Sequence, residues 1–193
     1  MERLVLGWPS DGPTLRLDHR RFSYAGKFVM SNTGKAVVRD PGEATDREYD
    51  DAVLAAVAFN EDRTDPATMW LRYVTVRGDR RGEGLGPWLC GLVVDRAADR
   101  GYERVRIAVN NPFAYEALYR AGFGFTGRET GLAELVLERP TDAPAGRPAA
   151  AYRTGLDRFR ERDLPEAAVA FLEGRPPATA EPPGLVTATP GPD

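Results

Sequence analysis

The 193-residue sequence predicts one mixed α/β (α+β) domain, a sheet flanked by helices, followed by a C-terminal extension. Two observations predict this class. Apolar and β-branched runs come first, and only from residue 69 onward do strands alternate with segments of helical spacing. After residue 140 the composition shifts towards alanine and proline, which is typical of a linker. This order favours a mixed sheet over a doubly wound one.

The individual elements follow from local patterns. Six strands are predicted, at residues 14–18, 35–40, 52–61, 69–76, 102–109 and 134–138. Two helices are predicted. The first covers 85–101, with Pro87 in its first turn and Gly101 at its end. The second runs from an Asn111 cap to about Ala121. Residues 41–51 read as a polar, acidic loop.

The predicted domain organisation has four parts. Residues 1–140 form the main domain and residues 141–151 a linker. Residues 152–174 form a short helical extension broken at Pro165. Residues 175–193 are rich in proline and glycine and are predicted to be disordered.

Composition and charge exclude several classes. The net charge of -3 gives no global basic field, so we do not expect nucleic acid as a partner. One cysteine and one histidine predict neither a disulfide nor a metal site. The sequence has neither the apolar core of a signal peptide nor an apolar run of roughly 20 residues, so we expect a cytoplasmic protein without membrane contact.

The stretch "RRGEGLG", residues 80–86, carries most of the functional information. It lies between a predicted strand and a predicted helix. A helix N-terminus offers free backbone N–H groups and a favourable dipole to an anion, and glycine lets a phosphate approach closely. The spacing fits neither a P-loop nor a dinucleotide fingerprint. Taken alone, the stretch predicts either a phosphate cradle or a solvated turn.

Two blocks of the sequence resemble the GCN5-related N-acetyltransferase (GNAT) superfamily. The first is the turn itself, with Arg81, Gly84 and Gly86 on the family's acyl-coenzyme A motif and Gly82 as an additional glycine. The second block, "NNPFAYEALYRAGFGF", is similar to a later family motif. The residues that carry this second resemblance are Asn111, Ala114, Leu118, Tyr119, Gly122 and Phe123. The resemblance covers residues 69–138 best.

The resemblance implies a mostly antiparallel sheet in which two parallel strands, 69–76 and 103–109, splay apart around acetyl-coenzyme A. The pantetheine arm would bond to the strand edge at Val74 and Val76. The pyrophosphate would lie on the turn. The implied coenzyme contacts are Val74, Val76, Arg81, Gly82, Gly84, Leu85, Gly86, Asn111 and Tyr119. For Asn111 a capping role alone is an equal alternative, and Pro87 offers no N–H to a phosphate.

The implied reaction is transfer of an acetyl group from the thioester to a primary amine. Tyr119 matches the family's general acid, and a backbone N–H near Val74 to Val76 would stabilise the oxyanion. Glu61 is the candidate general base. Asp62, Asp65 and His19 are the alternatives, and a water relay or an amine that arrives already neutral also stays open.

A second function stays open, that of a coenzyme A-binding sensor without turnover. The missing strand carboxylate and Pro87 favour it, whereas the glycine turn and Tyr119 favour the enzyme. The acceptor is left as an amine, peptide or protein, and a homodimer is possible. Cys90 is predicted to be buried packing, and Trp70 and Trp88 to be core residues.

Overall fold

The computed structural model describes residues 1–42 and 48–186. Within them lies a seven-stranded sheet with the order β1-β2-β3-β4-β5-β7-β6. The strands are β1 (Glu2–Gly7), β2 (Gly34–Arg39), β3 (Val53–Glu61), β4 (Thr68–Val76), β5 (Arg104–Val109), β6 (Gly124–Glu129) and β7 (Leu135–Pro140). The helices are α1 (Leu85–Asp99), α2 (Pro112–Arg120), α3 (Ala149–Arg160) and α4 (Glu166–Glu173). Only β4 and β5 pair in parallel, which confirms the predicted mixed, mostly antiparallel sheet.

The predicted strand at residues 14–18 is wrong. The first strand is β1, in an N-terminal segment where no strand was predicted, and it pairs with β2. Leu15 and Leu17 are nonetheless buried, in a core on the face of the sheet away from α1. The alternating sequence pattern predicts alternating burial of side chains. A segment that lies over the sheet can have this burial as well as a strand within the sheet.

The strand β6 was missed, because the sequence places a turn there. Gly124 and Gly127 interrupt the apolar pattern, and Gly127 has a φ of 77°. The pairing of β6 with β7 shifts between Phe125 and Glu129, which accommodates the irregular stretch. Of the predicted loop 41–51, residues 43–47 lie outside the described residues.

The C-terminal extension packs on the domain. The helix α3 begins within the predicted linker, whereas α4 follows Pro165 at the predicted break. Of the predicted disordered tail the structure describes residues 175–186. In that part Arg175 forms an ion pair with buried Glu116 of α2, and the Val186 N–H donates to the Arg120 carbonyl. Contacts of this kind depend on individual residues and are not visible in the amino-acid composition.

One buried lysine ties two loop segments to β2. Lys35 is fully buried, and its ammonium donates to the carbonyl oxygens of Pro13 (3.1 Å), Met30 (2.8 Å) and Thr33 (2.8 Å). It also donates to the Thr33 hydroxyl at 2.7 Å. Burial lowers the pKa of Lys35 to about 8. The Lys35 ammonium therefore holds together the loop segments that cover the face of the sheet away from α1.

Replacing Lys35 by methionine is expected to lower the free energy of unfolding by about 1–3 kcal/mol, because buried carbonyl oxygens lose their donor. Chemical denaturation measures this change. The chain's other lysine, Lys27, is exposed, and Lys27→Met is the matched control with little expected effect. Equal destabilisation by the two variants would contradict the structural role of Lys35.

Candidate active site

The parallel strands β4 and β5 part in the middle of the sheet. Their pairing runs from Thr68 with Arg104 to Leu71 with Ile107 and ends there. Beyond Leu71, β4 continues for five residues alongside β3, while β5 continues alongside β7. The two strands thus form the sides of a cleft whose apex is at Leu71. The predicted splay is therefore present.

The backbone of β4 offers unpaired groups to this cleft. Val76 lies opposite Ala55 of β3, and the next N–H, that of Arg77, donates to the Leu54 carbonyl at 2.9 Å. Antiparallel partners alternate between bonded and non-bonded pairs, so Thr75 and Tyr73 also bond to β3. The N–H and C=O groups of Val74 and Val76 point the other way, into the cleft.

The glycine turn lies at the open end of the same cleft. Gly82 and Gly84 have φ values of 89° and 80°, the left-handed region that favours glycine. Helix α1 begins directly after Gly84, and its first internal bond runs from the Trp88 N–H to the Gly84 carbonyl at 3.1 Å. The N–H groups of Leu85 and Gly86 precede that bond. Pro87 occupies the third helical position and has no N–H to offer, as predicted.

The start of α1 packs directly on β4. A Cβ atom added to Gly86 would lie 3.4 Å from a methyl group of Val76 and 3.9 Å from one of Val74. Because Gly86 has no side chain, the helix N-terminus and the strand edge come together. The positions predicted for the pyrophosphate and for the pantetheine arm are therefore contiguous.

The two arginines of the turn have different partners. Arg80 pairs with Glu83 at 2.7 Å, and this guanidinium lowers the pKa of that carboxyl. Arg81 instead donates to the hydroxyl of Ser23 at 3.0 Å. A neutral hydroxyl leaves the charge of Arg81 uncompensated by its partner. Arg81 is therefore better suited than Arg80 to meet an anion at the rim of the turn.

Asn111 caps α2 as predicted. Its side-chain oxygen accepts a hydrogen bond from the Ala114 N–H at 2.9 Å. Asn111 follows the end of β5 by two residues, with its side-chain oxygen engaged in the cap.

The structure does not bring Tyr119 to the cleft. Its side chain is fully buried, and its hydroxyl accepts hydrogen bonds from the Phe125 N–H (3.0 Å) and from the Tyr115 hydroxyl (3.3 Å). Phe125 belongs to β6, which is separated from β5 by β7. At the usual spacing this places the hydroxyl's partner about 10 Å beyond β5. Burial also raises the pKa of Tyr119. These contacts favour a structural role over that of a general acid.

Tyr119→Phe separates the two roles. The structural role predicts a kcat lowered less than about 10-fold, with a loss of about 1–3 kcal/mol in unfolding free energy because the partly buried Phe125 N–H loses its acceptor. Steady-state kinetics and denaturation measure the two effects. Tyr102→Phe, which removes a hydroxyl bonded to exposed Glu61, is the control. A 10²- to 10⁴-fold loss of kcat in a stable Tyr119→Phe variant would restore the general-acid role.

The base candidates also lie away from the cleft. Glu61 pairs with Met69, before the apex, and accepts from the Tyr102 hydroxyl at 2.5 Å. Five residues of strand separate Met69 from Val74, about 16 Å. The other three candidates are Asp62, bound by Thr64 and Trp70, Asp65, bound by Thr68 and Arg104, and His19, whose side chain is 76% exposed. Proximity in sequence to β4 had suggested these acids, and the acids lie where β4 begins, on the other side of the apex from Val74 and Val76. Asp62 lines a cavity beside the apex.

A cavity beside the apex was missed by sequence reasoning. It has a volume of about 490 Å³ and lies on the face of the sheet away from α1. Its lining comes from residues 27–33, from residues 60–64 and from Trp70, Arg72 and Tyr73 of β4. Trp70, predicted to be core, is half-buried here. Only the alternation within β4 hinted at a shared face, because the other segments are distant in sequence.

Residues 1–42 and 48–186 offer little support for a reactive cysteine or a metal site. Cys90 is buried in α1, as predicted, and burial raises the pKa of its thiol to about 12, so it is inert packing. Within this part of the chain no three acidic, histidine or cysteine side chains group together as metal ligands would. None of the described helices is long and apolar enough to cross a membrane.

Comparisons with known proteins found solved structures of similar fold and one matching family model. A putative N-acetyltransferase from Lactobacillus plantarum is similar in structure, with a TM-score of 0.50 and 16% identity over 72% of this chain and 97% of that one. A putative acetyltransferase from Salmonella typhimurium, solved with acetyl-CoA, has a TM-score of 0.47 and 18% identity over 61% and 69% of the two chains. No curated protein matches the sequence. The sequence model of the acetyltransferase (GNAT) family matches residues 12–125, more than half of the chain. The chain therefore belongs to the GNAT acetyltransferase family.

Proposed function

We propose that the protein is an N-acetyltransferase that moves the acetyl group of acetyl-coenzyme A to a primary amine. Membership of the GNAT family supports acyl-coenzyme A as co-substrate. The observation that carries the proposal is the parting of β4 and β5 beyond Leu71, directly beside a glycine turn at the start of α1. This arrangement suits a long ligand that is extended at one end and anionic at the other.

The proposed coenzyme site uses backbone more than side chains. The pantetheine arm lies against Val74 and Val76 as a substitute strand, since their N–H and C=O groups face the cleft. The pyrophosphate lies on the turn. The residues proposed for it are Arg81, Gly82, Gly84, Leu85 and Gly86. Asn111 follows the end of β5 as the cap of α2.

With the pyrophosphate at the turn, the thioester lies near the apex of the cleft. The neutral amine attacks the thioester carbonyl carbon, forming an N–C bond and a tetrahedral intermediate. A backbone N–H of β4 near Val74 stabilises the oxyanion. The C–S bond then breaks, the thiolate leaves and takes up a proton, and the nitrogen loses one. In this scheme catalysis depends chiefly on positioning and on the oxyanion donor.

Thiol release tests this function. The purified protein is incubated with acetyl-coenzyme A and a panel of amines, peptides and proteins, and free coenzyme A thiol is measured. Amine-dependent release is expected. A calorimetric titration with coenzyme A, run in parallel, gives the affinity without an acceptor. Failure to bind coenzyme A would overturn the proposal.

A coenzyme A-binding sensor is the second candidate. The observation that favours it is the position of Tyr119 and Glu61, because the expected acid and base both lie away from the cleft. Binding of coenzyme A without thiol release on any acceptor would support the sensor. Release that depends on an amine would exclude it.

Three finer points remain predictions. The acceptor is an amine, peptide or protein. A homodimer is possible. A cytoplasmic location is expected from the composition of the sequence.

A further inference from the structure

The cavity beside the apex is placed to receive the acceptor, an inference that rests on the proposed function. Leu71 and Val74 of β4 pack in the core on the α1 face, whereas Tyr73 packs on the opposite face. Tyr73 lines the cavity together with Trp70 and Arg72. Arg72 is the extra residue of a bulge at the point where β5 leaves β4. An amine bound in this cavity therefore lies beside the thioester and reaches it from the face opposite α1.

The lining of the cavity is cationic. Lys27, Arg63 and Arg72 contribute three positive charges, and Asp62 is the carboxylate of the lining. All three cations belong to exposed residues. The lining therefore carries an excess of positive charge in a concave site, where fields are focused.

The carboxylate of Asp62 is already satisfied. It accepts hydrogen bonds from the Thr64 N–H (2.8 Å), the Thr64 hydroxyl (2.9 Å), the Asp65 N–H (3.1 Å) and the Trp70 indole (2.5 Å). These bonds lower the pKa of Asp62 strongly. The carboxylate thus fixes the hairpin and the indole ring, and its acceptor capacity is used within the protein.

Contacts with Asn60 and Trp70 position the Arg72 side chain at the cavity. Its Nε donates to the side-chain oxygen of Asn60 at 2.6 Å, and its guanidinium lies 5.2 Å from the centre of the Trp70 ring. Both contacts are with uncharged groups, and the nearby Asp62 carboxylate acts on the guanidinium only through space, without an ion-pair contact. The terminal amino groups of Arg72 take no part in this hydrogen bond through Nε. A positioned guanidinium whose terminal amino groups are not bonded to a carboxylate is the donor that carboxylates and phosphates prefer.

We propose that this cavity binds the anionic end, a carboxylate or a phosphate, of a small amine that the protein acetylates. The volume of about 490 Å³ falls within the range of small-molecule sites. Arg72 is the principal contact, with Lys27 and Arg63 completing the cationic rim. The same charges favour loss of a proton from the acceptor's ammonium, which assists attack where no carboxylate base lies at the apex.

Matched pairs of acceptors test the proposal. The probes are L-phenylalanine against L-phenylalaninamide, β-alanine against β-alaninamide, and phosphoethanolamine against ethanolamine, each with saturating acetyl-coenzyme A. The anionic member of at least one pair is expected to give a kcat/KM about 10-fold or more above its neutral partner. The amide's amine is less basic and more of it is neutral, so this bias works against the expected result. The pairs distinguish carboxylate from phosphate.

Charge-neutralising variants locate the effect. Arg72→Gln and Lys27→Gln are expected to raise KM for the preferred anionic acceptor about 10-fold or more and to leave KM for its neutral partner unchanged. The control is Arg96→Gln, on the exposed side of α1 and paired with Asp99 at 2.9 Å. Binding of the N-acetylated anionic product to the coenzyme A complex, followed by calorimetry, gives the same comparison without turnover.

The outcomes separate this inference from the proposed function. Equal use and equal binding of anionic and neutral members, or an Arg72→Gln variant that behaves like Arg96→Gln, would overturn the acceptor inference while coenzyme A binding and thiol release stand. Absence of coenzyme A binding would overturn the proposed function and the inference together. A loss of affinity for the anionic acceptor alone in Arg72→Gln and Lys27→Gln would support the acceptor inference.

Discussion

Replacing Gly82 and Gly84 together by alanine is expected to weaken acetyl-coenzyme A binding by about 100-fold or more. Both glycines have positive φ, and alanine in that region costs about 1–2 kcal/mol per residue. A Cβ on Gly82 would meet no protein atom within 4 Å, so its methyl would enter the space above the turn. That space is the proposed position of the pyrophosphate. The substitution therefore both strains the turn and obstructs its ligand.

The chain supplies a matched control for this variant. Gly101 and Gly127 have φ values of 84° and 77°, and a Cβ on either would also meet no atom within 4 Å. The double variant Gly101→Ala/Gly127→Ala should therefore lose a similar amount of stability and keep its affinity. Calorimetric titration with coenzyme A measures both variants beside the wild type. Equal affinity of the two double variants would contradict the pyrophosphate site.

Gly155→Ala is expected to lower the free energy of unfolding by about 2 kcal/mol or more, and the melting temperature by about 4–8 °C. A Cβ on Gly155 of α3 would lie 2.0 Å from the hydroxyl oxygen of Tyr115 and 2.4 Å from its ring. Tyr115 is fully buried among Tyr119, Tyr152 and Phe159, so it has little room to move. Close packing of α3 on α2 therefore requires glycine at this position.

Gly91→Ala in α1 is the control for this prediction. A Cβ there meets only the end of the Arg3 side chain, at 3.6 Å, an ordinary contact. Alanine is about 1 kcal/mol better than glycine within a helix, so this variant should be neutral or more stable than the wild type. Thermal and chemical denaturation compare the pair. If Gly155→Ala were also stabilising, the extension would not be packed on the domain as described.

The features of the site that follow from local sequence could be predicted. Gly82, Gly84 and Pro87 define a turn and a helix start within a few residues, and Asn111 defines a cap, so short-range rules suffice for them. The splay followed from the family resemblance, since pairing between β4 and β5 depends on contacts more than 30 residues apart.

The direction of a buried side chain could not be predicted in the same way. The pattern around Tyr119 identified its helix, but the partner of its hydroxyl, Phe125, is set by how β6 and β7 extend the sheet. The cavity is lined by segments that are distant in sequence, so no local sequence pattern predicted it. The extension is held by pairs such as Glu116 with Arg175, which composition does not register.

Amide hydrogen exchange, read residue by residue by NMR with and without coenzyme A, shows whether coenzyme A lies along β4 and on the glycine turn. Coenzyme A in the cleft is expected to slow exchange at Val74 and Val76 and within the turn at residues 82–86. Tyr73 and Thr75, already bonded to β3, should change little by comparison. Protection confined to other parts of the chain, or no change at Val74, Val76 and the turn under saturating coenzyme A, would contradict the proposed coenzyme A site.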